Sequence, residues 1–185
     1  MPLGGGNRRP SERRWNGRAL SLRTPRSTTV AEADRRSERS STADTAWYLP
    51  AVIRTGRCLC GDVRYEFSGD PIAVVVCHCQ HCQRQGGGAF SLNLIGLESQ
   101  LSVDGTLQNY QETGENDDGV YVNRRFCGSC GSPIVSELLQ TEGVIALKVG
   151  TLDDRSDITP AVEVWCVDKQ PWVDLADIAV SMDRE

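Results

Sequence analysis

The chain has 185 residues, a length that fits one domain of common size together with an additional segment. Hydrophobic residues make up 39% and charged residues 24%, close to globular averages, and no apolar run reaches the roughly 20 residues of a membrane-spanning helix, which argues against a membrane protein. The formal net charge is -5, but residues 1–50 hold ten Arg against five acidic residues, so the remainder is acidic and nucleic acid is an unexpected partner for it.

Residues 1–50 are predicted to form a disordered extension. This segment is rich in Arg, Ser, Gly and Thr, shows neither helical nor strand periodicity, and offers too little apolar surface to offset the entropy of ordering. Its composition loosely matches an organelle transit peptide, but Glu12, Glu32, Asp34 and Glu38 count against that function. We therefore favour an undirected tail, or translation from an upstream start codon, over a targeting segment.

Residues 51–185 are predicted to form a small zinc-binding domain that is mainly β. Beyond Thr55 the sequence consists of short apolar or alternating runs bounded by Gly, Asp and Pro, and helix signals are few. Asp104-Gly105, between two short β runs, is the strongest local hairpin signal. The predicted strands are 57–59, 63–67, 72–76, 89–95, 101–103, 107–110, 120–126, 134–136, 144–149 and 162–166.

The eight cysteines are spaced in a way that favours metal binding over disulfide bonds. The N-terminus has arginines but no following apolar run with a small-residue cleavage site, so we expect no secretory signal. Reduced thiols and a cytoplasmic location are the corresponding predictions, because glutathione and thioredoxin keep that compartment reducing.

Four of these cysteines are predicted to form a closed zinc site. Cys58 and Cys60 make a Cys-x-Cys motif, Cys127 and Cys130 make a Cys-x-x-Cys motif, and glycine follows each motif. Four thiolates around a tetrahedral zinc form a structural site, and small residues allow the tight turns that it needs. Since the two motifs are far apart in the sequence, the metal would join an early hairpin to a late one, and its loss should unfold the domain.

The second group, Cys77, Cys79 and Cys82, follows an apolar strand and precedes three glycines. Three cysteines leave a zinc one ligand short, which is the usual arrangement of a catalytic site with an open position for water or a substrate thiol. The alternatives are a closed site completed by His81 or His78, a reactive disulfide, or plain buried thiols. Each histidine is by itself expected to be a neighbouring or surface group rather than a ligand.

The remaining cysteine and the aromatic residues are predicted to be packing residues. Cys166 stands in an apolar run and should pack as a small apolar side chain on a buried strand. Tyr65, Phe67 and Trp165 are expected to be packing residues rather than ligand contacts. Trp172 is given the same role, with the rim of a pocket as its alternative.

Three cysteine motifs together resemble a known family. Gly-x-Cys-x-Cys-Gly-x-Val-x-Tyr at 56–65, Cys-His-Cys-x-x-Cys at 77–82 and Phe-Cys-x-x-Cys-Gly-Ser-Pro at 126–133 are similar to motifs of the glutathione-dependent formaldehyde-activating enzyme family, which includes the centromere protein V domain. Gly-Thr-Leu-Asp-Asp at 150–154 and Pro-Trp at 171–172 add to the resemblance, which spans roughly residues 54–175. It departs from the family at Gln83, where many relatives have Arg.

The resemblance implies a β-tent fold, in which zinc pins small antiparallel sheets together, and two zinc ions per chain. By position, the structural zinc falls on Cys58, Cys60, Cys127 and Cys130, and the catalytic zinc falls on Cys77, Cys79 and Cys82. The implied activity is that of a carbon-sulfur lyase acting on the adduct of glutathione and formaldehyde, S-hydroxymethylglutathione. The competing hypothesis is a non-catalytic binding module that zinc stabilises, as the centromere-type relatives suggest.

Overall fold

The computed structural model describes residues 52–113 and 119–184, and the fold within them is mainly β, as predicted. The expected disordered extension at 1–50 lies outside the described residues. The helix α1 spans Gln80–Gly86, and three short 3-10 turns lie at Glu98–Gln100, Val149–Thr151 and Cys166–Asp168. The strands are β1 Ile53–Arg57, β2 Arg64–Ser68, β3 Ala73–Cys77, β4 Ser91–Leu97, β5 Leu101–Asp104, β6 Leu107–Thr113, β7 Val120–Cys127, β8 Pro133–Leu138, β9 Val144–Lys148, β10 Val162–Val164 and β11 Val180–Ser181.

The described strands form two sheets. The small sheet has the order β1-β2-β5 and is antiparallel throughout. The large sheet has the order β11-β10-β3-β4-β9-β8-β7-β6. It is antiparallel except at β10, which pairs in parallel with both β3 and β11. No helix in the described ranges is long and apolar enough to cross a membrane.

The main core lies between the small sheet and one face of the large sheet. Phe67 on β2, Leu94 on β4 and Leu147 on β9 are fully buried, and Leu94 pairs with Leu147 across the two strands. Burying one such side chain contributes roughly 1.5–3 kcal/mol. The burial of Tyr65 and Phe67 confirms their predicted packing role, whereas the same prediction is wrong for Trp172, which is 73% exposed.

The opposite face of the large sheet is polar at β4 and β9 and apolar at β3 and β10. Successive strand residues point to opposite faces, so strands that bury Leu94 and Leu147 on one side place Asn93 and Lys148, which are also paired, on the other. Arg124 lies on the same polar face and contacts α1 through Gln85, with 3.3 Å between Nη1 and Oε1. The helix therefore covers polar strand residues and, through Cys82, also packs in an apolar cluster with Cys77 and Val164.

A close approach of two strands requires glycine at position 56. An added Cβ would lie 2.2 Å from the ring of Tyr65 and 2.6 Å from the carbonyl oxygen of Thr151. We expect Gly56→Ala to lower the free energy of unfolding by about 3 kcal/mol, because the buried ring has nowhere to move. Denaturant unfolding measures this, with Gly86→Ala as the control, since nothing lies within 4 Å of its added Cβ. Equal stability of the two variants would contradict the prediction.

The hairpin predicted at Asp104-Gly105 is wrong. The two flanking strands belong to different sheets, because β5 pairs with β2 and β6 pairs with β7. Gly105 has a φ of 105°, and its missing side chain admits the carbonyl oxygen of Asp62 at 2.4 Å from the ideal Cβ position. The chain does turn at this position, but tertiary contacts pair the two flanking strands with other strands instead of with each other.

The ends of the predicted strands differ from the observed ones, with the largest consequences in the first and last predicted strands, and one helix was missed. The first strand ends at Arg57 because the chain turns there. The amide of Cys58 donates a hydrogen bond to the carbonyl oxygen of Val63 at 3.0 Å. β10 ends at Val164 because Trp165 has a φ of 57°, so Cys166 starts a 3-10 turn and is partly exposed rather than in a buried strand. Helix α1, which starts after Cys79 and contains Cys82, was not predicted.

Candidate functional site

The first cysteine cluster joins the turn after β1 to the turn between β7 and β8. The sulfur atoms of Cys58, Cys60, Cys127 and Cys130 all lie within 4.8 Å of one another. Cys58 Sγ is 3.4 Å from Cys60 Sγ, which is 3.7 Å from Cys127 Sγ. Sulfurs bound tetrahedrally to zinc at about 2.3 Å are separated by about 3.8 Å. The cluster therefore fits a tetrahedral metal ion with four thiolate ligands.

Tight turns bring backbone amides close to these sulfurs. The amide of Val63 donates to Cys58 Sγ at 3.3 Å, and the amide of Gly131 donates to the carbonyl oxygen of Cys127 at 2.8 Å. Although burial raises the pKa of Cys58, the hydrogen bond from Val63 and those with neighbouring cysteines lower it. Hydrogen bonds from Ser132 lower the pKa of Cys130 to about 5. A backbone hydrogen bond from Asp62 lowers the pKa of Cys60, but hydrogen bonds with Cys58 and the other cluster cysteines raise it to about 12. The local geometry thus favours the metal-binding thiolate at Cys58 and Cys130.

The second cluster is built where β3 passes into α1. Cys77 ends the strand, Cys79 is the N-cap of the helix, and Cys82 lies in its first turn. Their sulfurs lie within 4.8 Å of one another, and Cys79 Sγ accepts a hydrogen bond from the amide of Cys82 at 3.3 Å. Within the described ranges, no fourth Cys, His or carboxylate joins this group. A metal ion held there would keep one position for another ligand.

The two nearby histidines lie outside the second cluster and bind carboxylates instead. His78 is fully buried, and its Nε2 is 3.1 Å from an oxygen of Glu163. His81 Nδ1 is 2.6 Å from an oxygen of Glu112 and 2.9 Å from the hydroxyl of Tyr121. This geometry agrees with the expectation that each histidine is a neighbouring group rather than a ligand.

Glu163 connects the C-terminal part of the chain to the second cluster. Although burial raises its pKa, hydrogen bonds from Lys169, Ser181 and His78 lower it to about 2. The distances from its carboxylate to Lys169 Nζ and Ser181 Oγ are 2.9 and 2.8 Å. His78 lies between Cys77 and Cys79 in the sequence. Its contact with the carboxylate of Glu163 on β10 therefore fixes the position of this cysteine segment.

We expect Glu163→Ala to destabilise the domain by about 1–3 kcal/mol, because buried His78 loses its hydrogen-bond partner. Thermal unfolding of the metal-loaded protein measures the effect. The control is Glu66→Ala on β2, whose exposed side chain should change stability by less than about 0.5 kcal/mol. A melting temperature equal to that of the control would refute a supporting role for Glu163.

An arginine and a carboxylate on the polar face lie against the second cluster. Arg124 Nη1 is 3.7 Å from Cys82 Sγ, and the same guanidinium forms an ion pair with Glu112 at 2.5 Å. Both residues are 6% exposed. Burial lowers the pKa of Arg124, but the hydrogen bonds with Glu112 and the charge on Cys82 raise it beyond its usual value. A permanent positive charge thus lies beside one of the three sulfurs.

A buried lysine occupies the same face. Lys148 Nζ donates to Asn93 Oδ1 at 2.8 Å and to Ser91 Oγ at 3.2 Å. Lys148, Arg124 and Glu112 were not singled out in the sequence. The available signal was a charged residue that ends an apolar run, as Lys148 does in β9.

Comparison with known proteins assigns the family. The model of the glutathione-dependent formaldehyde-activating enzyme family matches residues 53–168. The chain belongs to this family. Membership associates the chain with glutathione and formaldehyde, and the two cysteine clusters are compatible with zinc. The matched range includes all seven clustered cysteines and the polar residues around the second cluster.

Two further comparisons add little to this assignment. A crystal structure of a protein from Rhodobacter sphaeroides is similar at 22% sequence identity, with a TM-score of 0.44, and the match covers 57% of this chain and 91% of that chain. No match was found among curated proteins.

Proposed function

We propose that the chain is a zinc-dependent carbon-sulfur lyase that forms or cleaves S-hydroxymethylglutathione, the adduct of glutathione and formaldehyde. The supporting observation is the difference between the two cysteine clusters, one with four sulfurs and one with three. A four-sulfur site is complete and therefore structural, whereas a three-sulfur site keeps a position for a reacting ligand. Family membership supplies the substrates.

In this proposal Cys58, Cys60, Cys127 and Cys130 hold the structural zinc, and Cys77, Cys79 and Cys82 hold the catalytic one. When bound, the second zinc supplies a Lewis acid that lowers the pKa of a substrate thiol. The chain contributes hydrogen-bond donors to two of the ligand sulfurs, namely the amide of Cys82 toward Cys79 and the guanidinium of Arg124 toward Cys82.

The reaction balances without a further reagent. The sulfur of glutathione forms a bond with the carbon of formaldehyde, and the π electrons of the carbonyl group move to its oxygen. That oxygen takes up the proton that the thiol released, which gives the hydroxymethyl group. Cleavage of the carbon-sulfur bond is the reverse sequence, and the same groups serve both directions.

We also infer a cytoplasmic location for this activity. All eight cysteines are free, and seven of them lie in clusters that need reduced thiols. Glutathione is itself the reductant of that compartment, so the proposed substrate and the state of the ligands are consistent with one another.

The direct test adds purified zinc-loaded protein to glutathione and formaldehyde and follows the exchange between free and bound formaldehyde by NMR. We expect exchange faster than in buffer alone. Exchange at the buffer rate from a folded protein with two zinc ions would reject the reaction and favour the non-catalytic binding module.

A further inference from the structure

Lys148 is a buried cation for which the described residues provide no carboxylate partner. It is 6% exposed, and its Nζ bonds only to the neutral oxygens of Asn93 and Ser91 among the described side chains. The ion pairs within the described ranges do not include it. Burying an ammonium group without a counter-charge is strongly unfavourable, so negative charge is expected close by.

The three-cysteine cluster supplies that negative charge. Ser91, which accepts from Lys148, pairs directly with Cys77 between β4 and β3, so the lysine and Cys77 share one face of the sheet. Burial and the charge of Arg124 lower the pKa of Lys148, while the charges of Cys82, Cys77 and Cys79 act against that decrease. Lys148 thus lies on the face of the sheet that carries Cys77, with β4 between their two strands.

The other nearby cation already has a carboxylate partner. Arg124 forms an ion pair with Glu112, at 2.5 Å and 3.1 Å from the two carboxylate oxygens. Three thiolates and one divalent ion leave a single net negative charge, which Lys148 balances. A substrate thiolate would add a second negative charge to a poorly solvated site, where unbalanced charge is costly.

We propose that Lys148 lowers the electrostatic cost of an anionic fourth ligand at the three-cysteine site. The inference rests on the proposed function, in which a substrate thiolate takes the fourth position, and it adds the residue that makes a negative ligand acceptable there. Lys148 acts on the ligand through charge and is therefore a specificity-determining residue. A neutral ligand at the same position gains little from it.

The experiment compares a charged and a neutral probe on the intact protein. Cobalt(II) replaces zinc, and its absorption bands report ligand binding at the open position while the four-cysteine site is already saturated. The probes are 2-mercaptoethanol, which binds as a thiolate, and imidazole, which binds as a neutral molecule. Dissociation constants of both are measured at one pH for the wild type, Lys148→Gln and Lys148→Met.

We expect both variants to weaken thiolate binding by at least about tenfold, which corresponds to about 1.4 kcal/mol, and imidazole binding by less than about twofold. Glutamine retains an N–H group for Asn93 and Ser91, and methionine is a second neutral side chain of similar length, so misfolding of one variant leaves the other as the test. Arg125→Met is the control. Arg125 follows Arg124 on β7, so its side chain faces the other side of the sheet, where it pairs with Glu137.

Equal weakening of both probes, or of neither, would overturn the proposal, as would a wild-type cobalt protein that binds neither probe. The role of Lys148 and the proposed reaction fail separately. A selective loss of thiolate binding together with no acceleration of adduct formation would support the role of Lys148 and reject the lyase reaction.

Discussion

Cys127→Ser is expected to abolish the cooperative folded state of the domain at neutral pH, even with excess zinc. Cys127 ends β7 in the large sheet, and its cluster partners Cys58 and Cys60 follow β1 in the small sheet, so the metal would hold the two sheets together. Structural zinc sites contribute roughly 10–16 kcal/mol at pH 7, and whole domains have a net stability of about 5–15 kcal/mol. Losing most of the free energy that zinc binding contributes therefore leaves the domain with no net stability.

Circular dichroism on heating and a zinc count for each purified protein measure this effect. The matched control is Cys166→Ser, since Cys166 is free, partly exposed and outside both clusters. It should keep two zinc ions and melt close to the wild type. A Cys127→Ser protein that melts cooperatively at the wild-type temperature would show that the four-sulfur cluster is not a structural metal site.

Cys79→Ser is expected to remove the second zinc and reduce kcat/KM for adduct formation by more than about 100-fold, while the domain stays folded. Mutation of groups that merely orient metal ligands already lowers metal affinity or activity by about 10–100-fold, and loss of a ligand should lower them further. Cys79 is the favourable choice because it is the N-cap of α1 and accepts a hydrogen bond from the amide of Cys82. Serine is a preferred N-cap residue and can accept the same bond, so the helix keeps its start.

The zinc count, the melting curve and the rate are measured on the same sample of this variant. One zinc per chain with a near-native melting curve and lost turnover is the expected combination. Undiminished turnover would exclude Cys79 from the catalytic site. Unfolding as severe as that of Cys127→Ser would assign both clusters to stability alone, as a binding module requires.

The cysteine groups could be predicted from the sequence because their spacing carries the information locally. Cys58 with Cys60, and Cys127 with Cys130, are each close enough in the chain to share one ion, and the flanking glycines indicate the turns. The structure brings the two pairs together as expected. The mainly β character was equally visible, since short runs bounded by turn residues persist through the domain.

The environment of the second cluster could not be predicted. Glu112, Arg124 and Lys148 lie on three different strands, and alternation along a strand shows only which residues share a face, not which strands will be neighbours. Helix α1 has seven residues, too few for a helical period to be recognised. The failed hairpin at Asp104-Gly105 has the same origin, because the pairing of β5 with β2 depends on contacts outside the local sequence.

The parallel pairing of β10 with β3 has a consequence for the order of folding. Val162 pairs with Val75, and Glu163 reaches His78 from 85 positions away, so this is the most distant strand pairing among the described elements. Closing a long loop costs more entropy than closing a short one, and the neighbouring hairpins of β6 to β9 can form first. We therefore expect β3, which carries Cys77, to pair with β10 late in folding, after most of the large sheet has assembled.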